Sequence, residues 1–198
     1  MMKLLSLGSE KSAPVLETAR LRLRGHCAED FEAFAAMWAE SKVTEFIGGR
    51  AYTTEESWLR LLRQVGHWPL LGYGYWAVEE KATGEFVGET GYAEFQREIE
   101  PSIVGVPEAG WVFSARAHGK GYGVEAIRAV MEWGDRNFGV PRTVCLISPG
   151  NTASLRVAAK MGFVEERRTV FREKETVLLG RARQNVRGIG AAADKVTG

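Results

Sequence analysis

Cysteine, net charge and long apolar runs are all scarce in this chain. Its 198 residues include two cysteines, Cys27 and Cys145, too few for a disulfide framework and too far apart for the paired ligands of a zinc site. No metal is expected, and a reducing, cytoplasmic setting is. Lysine plus arginine number 26 against 25 for aspartate plus glutamate, giving a net charge of +1. That balance excludes the basic stripe of a nucleic-acid binder and requires any anion site to be local. No stretch approaches the roughly 18 apolar residues of a membrane span, and the apolar run near the start is well short of a secretory core. What is left is the make-up of an ordinary folded domain, 45% hydrophobic and 26% charged, long enough to bury a core unaided. The expected organisation is an unstructured lead-in over 1–14, one domain over 15–183 and a flexible Gly/Ala-rich tail over 184–198.

Hydrophobic periodicity lays out the domain. LETARLRLR, 16–24, alternates Leu21 and Leu23 against Arg20, Arg22 and Arg24, the pattern of a half-buried strand with its arginines wet. Phe31, Phe34, Ala35 and Trp38 recur at helical spacing, and a second helix opens at Thr53 with Glu56 completing a capping box, its apolar face read as Trp58, Leu61, Leu62 and Val65. YWAVEE and EFVGETGYAE flank a KATG turn as an antiparallel hairpin, and residues 96–107 read as a polar exposed loop. EAGWVFS, 108–114, is one more strand, with Gly110 marking a bulge or a close backbone approach. Val124, Ile127, Met131, Gly134 and Phe138 share a helix face; TVCLI is a short buried strand; TASLRVAAKMG is a helix ending at Gly162; VEERRTVF and ETVLLG close the sheet as a hairpin.

The densest signal is ARAHGKGYGVEAIRAV, 115–130, with three glycines in five residues running into a helix. Such a turn presents unpaired amides at the positive end of a helix dipole and so binds anions, phosphates above all. A P-loop does not fit, because Ser114 stands where its first glycine belongs and Gly121 where its hydroxyl belongs. The dinucleotide pattern G-x-G-x-x-A is met by Gly121, Gly123 and Ala126, but the ribose-binding acid due about 20 residues on is missing: 142–160 contains no Asp or Glu.

Arg116-Ala-His118-Gly119-Lys120-Gly121, followed by Tyr122-Gly123, resembles the Arg/Gln-x-x-Gly-x-Gly/Ala acetyl-CoA motif of the GNAT N-acetyltransferases. LETARLRLR resembles the first strand of that family's RimJ/RimL-like branch, YWAVEEKATGEFVGETGY its central hairpin, EAGWVF its fourth strand, and NTASLRVAAKMGF its Asn-x-x-Ser-x-x-Val segment. The resemblance spans about 15–183 and implies an α/β (α+β) fold with a mixed, mainly antiparallel sheet flanked by helices on both sides. It implies acetyl-CoA as co-substrate and an amine acceptor, either a protein N-terminus such as a ribosomal protein's or a small molecule. The amides around Gly119, Gly121 and Gly123 would grip the CoA pyrophosphate, with Arg116, His118 and Lys120 adding charge, and the backbone of Val112, Phe113 and Ser114 would pair with pantetheine. Asn151 and Ser154 would contact CoA.

For the chemistry, Glu108 is the candidate base and Glu94 its reserve. Freeing an amine at neutral pH costs about 1.4 kcal/mol for an α-amine and about 4.6 kcal/mol for a lysine, so a weak base favours α-amines. Ser154 is the candidate proton source for the departing thiolate, because Ala158 occupies the place where many family members carry a tyrosine. That substitution keeps open a second reading, a CoA-binding regulatory module without turnover. Trp68, Trp76, Trp111, Tyr73 and Tyr75 read as core packing near the acceptor cleft, and His67 as solvent-facing. A homodimer is possible through the terminal hairpin.

Overall fold

A computed structural model describes residues 12–184. The expected first strand is in fact two: Leu16–Glu17 (β1) turns and returns as Leu21–Arg24 (β2), pairing Leu16 with Leu23. Thr18 closes the turn, its Oγ1 accepting the Leu21 amide at 3.0 Å. Leu21 and Leu23 are fully buried, but Arg24 is drawn inward onto Asp30 (2.7 Å) and Glu79 (2.9 Å) instead of facing water. Helices Phe31–Ala39 (α1), Ser41–Thr44 (α2) and Thr54–Leu71 (α3) follow. The capping box at Thr53 and Glu56 forms as expected. The buried face of α3 does not: it is Ser57, Leu61, Gln64, His67 and Trp68, while Trp58, Leu62 and Val65 are exposed. The reason is a charged sheet surface beneath the helix, described below.

Strands Tyr75–Glu80 (β3) and Glu85–Ala93 (β4) form the expected hairpin, and Glu108–Phe113 (β5) pairs with β4 over six residues without a bulge. Tyr122–Asn137 (α4), Arg142–Ile147 (β6), Thr152–Lys160 (α5), Val164–Phe171 (β7) and Lys174–Ala182 (β8) complete the chain. All eight strands join one sheet in the order β1-β2-β3-β4-β5-β6-β8-β7. Every neighbouring pair is antiparallel except β5 and β6, so this is the expected mixed, mainly antiparallel α+β architecture.

Alternation along the strands assigns the two faces. Ala77, Val112 and Phe86 pack under α1 and α3 with Phe34, Trp38 and Leu61. On the same face, residues 95–107 cover β6 and β8 through Ile99 and Ile103 against Val144 and Leu178, so this loop is not simply exposed. The opposite face carries the large core under α4 and α5. Pro14 is also docked, its carbonyl accepting from Trp76 Nε1 at 2.7 Å. The lead-in over 1–11 and the tail over 185–198 lie outside the described residues.

Candidate active site

The two parallel strands touch at one register pair, Glu108 with Val144, and then part. Past that point Gly110 and Trp111 are half-exposed in the middle of the sheet. The Ser114 amide donates to Val87 O at 3.1 Å, which commits alternate residues of β5 to β4 and turns the backbones of Trp111 and Phe113 into the gap. Of the residues expected to offer main-chain bonds, Phe113 does face the gap, Val112 and Ser114 bond to β4, and Trp111 is the one the sequence did not single out. Helices α4 and α5 start beside this gap, at the carboxyl ends of two parallel strands, where open sheets place ligands.

On the α4 side the glycine-rich turn is built as a cradle. Helix α4 begins at Tyr122, two residues before the periodicity suggested, with Gly121 as N-cap in the left-handed region (φ 78°) and Gly119 likewise (φ 77°). Gly123 lies inside the first helical turn and needs no unusual φ. No side chain caps the helix, and among the described residues none of the six amides from Gly119 to Val124 donates a hydrogen bond. Six consecutive amides at a helix start form an anion-binding concavity. The turn is held rigidly from behind. Arg20 donates to Lys120 O at 2.9 Å and pairs with Glu125 at 2.7 Å, while Tyr122 is buried and bonds Glu80 through its hydroxyl. The Arg116 guanidinium is engaged by Glu85 and by Phe86 O, each at 2.6 Å. His118 Nε2 lies 3.1 Å from Phe113 O, and the Lys120 ammonium lies 5.5 Å from the Tyr122 ring centroid.

Across the gap, Asn151 is the N-cap of α5, its Oδ1 accepting the Ser154 amide at 3.0 Å. Ser154 is therefore free of the capping role. Its Oγ accepts from Trp111 Nε1 at 3.3 Å and, among the described residues, donates to nothing. Ala158 is fully buried, so that position sends nothing into the gap.

Glu108, Gly110 and Val112 point to the other face, toward α1 and α3. Glu108 is 7% exposed and gripped at both oxygens by Arg97, at 2.5 and 2.7 Å. Arg97 lies between the rings of Phe95 and Phe171, 4.6 Å from each. Burial pulls its pKa down, and Glu108 outweighs that and raises it. Nothing in the sequence pointed to Arg97, because residues 95–107 carry no periodicity. Glu94, the reserve candidate, accepts the amides of Gln96 and Gly105. His67 is buried, not solvent-facing: its Nδ1 meets Arg63 O at 2.7 Å, and burial lowers its pKa.

Beneath α3 lies Glu89, wholly buried, with Gln64 at 3.1 Å and both His26 and Arg60 at 3.4 Å. Burial alone would raise its pKa, but the adjacent His26 ring, the charge of Arg60 and the Gln64 bond hold it below the usual value. This is why α3 buries Gln64 and spares Val65. Between Glu89 and Glu108 runs Tyr75. Its ring starts at β3 and crosses β4 at Gly91, and its hydroxyl lies over Gly110, so a Cβ at Gly110 would fall well inside van der Waals contact of the Tyr75 oxygen. Gly110 marks the close approach the sequence suggested. Gly110→Ala should lower stability by about 1–3 kcal/mol as an overpacked site, or roughly 2–4 °C of Tm per kcal/mol in a domain this size. Thermal melts of G110A and of G110A combined with Y75F check this; the second change should restore part of the loss.

A mixed, mainly antiparallel sheet flanked by helices, with free helix-start amides at a glycine-rich turn, is what the resemblance to the GNAT N-acetyltransferases implied. The profile of the acetyltransferase (GNAT) domain matches residues 20–164, and the chain belongs to that family. It is 36% identical over 160 residues to the uncharacterized protein YkkB of Bacillus subtilis, covering 74% of this chain and 83% of that one. It is 29% identical over 157 residues to the uncharacterized N-acetyltransferase YoaA of the same organism, covering 77% and 84%. Among solved structures, a GnaT-family protein of Bordetella pertussis superposes with a TM-score of 0.76 at 32% identity, covering 86% of this chain and all of the other. RimL in complex with coenzyme A shares the fold at a TM-score of 0.69 and 16% identity, covering 85% and 98%.

Proposed function

We propose that this acetyltransferase moves the acetyl group of acetyl-CoA to a primary amine by direct attack, in the manner of the RimJ/RimL-like branch, with an α-amine as the favoured acceptor. The observation that carries the reading is the run of six unbonded amides from Gly119 to Val124, beside a sheet gap edged by the backbones of Trp111 and Phe113, which β4 leaves unpaired. The amides fit a pyrophosphate, the strand edge fits the amide-bearing pantetheine arm, and acetyl-CoA supplies an activated thioester. A dinucleotide site is disfavoured by the missing downstream acid.

The chain's own groups divide the reaction between two faces. On the α3 face, Glu108 takes one proton from the acceptor ammonium, through a lone pair that Arg97 leaves unused. In the gap, the Trp111 amide donates to the acyl oxygen as negative charge builds there. On the α5 face, Ser154, held by Trp111, gives its hydroxyl proton to the departing sulfur as the C–N bond forms and the C–S bond breaks. The amine's second proton replaces it by way of solvent. Freeing an amine of pKa near 8 at neutral pH costs far less than freeing a lysine side chain, which makes α-amines the favoured acceptors.

A ligand panel tests the reading. Acetyl-CoA at 100 times its Kd should stabilise the fold by about 2.7 kcal/mol, a clear rise in Tm, while NAD, NADP and ATP should not. Thiol release on adding amines then separates an enzyme from a regulatory module, which would bind acetyl-CoA and release no thiol.

A further inference from the structure

Tyr75 is a buried side chain with one atom left over. The residue is 4% exposed, its ring is threaded over Gly91, and its hydroxyl stands above Gly110. Among the described residues that hydroxyl makes no hydrogen bond, yet it is not one of the buried polar atoms lacking a partner. The oxygen is therefore the part of the side chain that keeps a small contact with open space, beside Gly110. Gly110 lies two residues from Glu108 and one from Trp111 on β5, about 7 Å and 3.4 Å along the strand. The hydroxyl thus faces the space between the proposed base and the amide that turns into the gap. Burial, then the charges of Glu108 and Glu89, push its pKa up, so it remains a neutral phenol.

Building on the acetyl-transfer reading above, we propose that Tyr75 is a specificity-determining catalytic residue whose oxygen accepts an N–H of the acceptor and thereby selects primary amines. A deprotonated primary amine has two N–H bonds and one lone pair. Once Glu108 has passed the ammonium proton on to solvent and is again a carboxylate, one N–H rests on Glu108 and the other on Tyr75 Oη, and the lone pair is left pointing into the gap, the direction from which it can form the new C–N bond. A secondary amine has one N–H to offer, so it satisfies one of the two acceptors and its lone pair is not fixed. Gly110 leaves the space the oxygen occupies, since a Cβ there would fall well inside van der Waals contact of it and displace it.

The test compares an N-terminal amine acceptor with its N-methyl counterpart, using acetyl-CoA and thiol release. Wild-type protein should prefer the primary amine by at least tenfold in kcat/KM. Tyr75→Phe should lower kcat on the primary amine ten- to thirtyfold and collapse that preference toward one, with Tm unchanged or higher. A purely structural phenol would leave the preference intact. Gly110→Ala, which keeps the phenol but displaces its oxygen, should erode the same ratio and serves if Y75F fails to fold. Equal rates for wild type and Y75F, or an equal loss on both acceptors, overturn the role of Tyr75 while leaving acetyl transfer standing. A wild-type protein that binds acetyl-CoA and acetylates no amine overturns both.

Discussion

Glu108→Gln is expected to lower kcat by about 10²–10⁴, the usual contribution of a positioned general base, with the KM for acetyl-CoA within twofold of wild type. Glutamine keeps the volume and one oxygen for Arg97, so the loss reports the missing charge and basicity and not a collapsed site. Two further readouts separate this from an ion pair that merely holds the 95–107 loop. First, without a base the residual rate should follow the fraction of free amine, rising tenfold per pH unit up to the acceptor's own pKa of about 8, whereas wild type should depend less steeply on pH below that point. Second, Arg97→Gln breaks the same bidentate pair and should destabilise the loop at least as much, yet retain far more activity than E108Q. If E108Q loses less than tenfold, and E108Q and R97Q are alike in rate and pH profile, Glu108 is Arg97's partner and nothing more.

Where local periodicity governs, the sequence was a faithful guide. The hairpin over 75–93, strand 108–113, the helix through Ile127 and Met131 and the cap at Thr53 all follow from side chains that meet neighbours within a turn or across one hairpin. It misled where a distant partner decides. The face of α3 was read from its leucines and valine, but the helix lands on Glu89, so Gln64 and Arg60 turn inward to satisfy a buried charge. LETARLRLR was read as one strand from the alternation of Arg20 to Arg24, yet it folds back at Thr18, because a threonine hydroxyl can close a turn that no glycine or proline announces. Glu108 was legible as a strand-end carboxylate, Arg97 was not, and the same holds for the Tyr75 hydroxyl, whose position depends on a glycine in another strand.

Asp135→Ala is expected to destabilise the fold by about 3–5 kcal/mol, the range for removing one partner of a buried ion pair, or roughly 2–4 °C of Tm per kcal/mol. Asp135 and Arg181 are 6% and 7% exposed and meet through two parallel bonds of 2.7 and 2.6 Å. Arg181 also donates to Met161 O at 2.9 Å, and the Gln184 amide donates to Asp135 at 3.0 Å. One pair thus ties the last turn of α4 to β8 and to the end of α5, the two helices whose starts flank the gap. Arg181→Met should be similarly damaging, since it leaves the carboxylate buried without its cation. Replacing both, as Asp135→Leu with Arg181→Met, should recover most of the loss, because the cost of a broken pair is largely that of the orphaned charge. Thermal melts of the two singles and the double give the coupling directly, and additive losses would show that the pair does not act as a unit. In the double variant the glycine-rich turn keeps its own supports, Arg20 and Tyr122, so acetyl-CoA should still raise Tm as it does in wild type. If ligand stabilisation disappears as well, the anchor of α4 at Asp135 also sets the position of the amides at its other end.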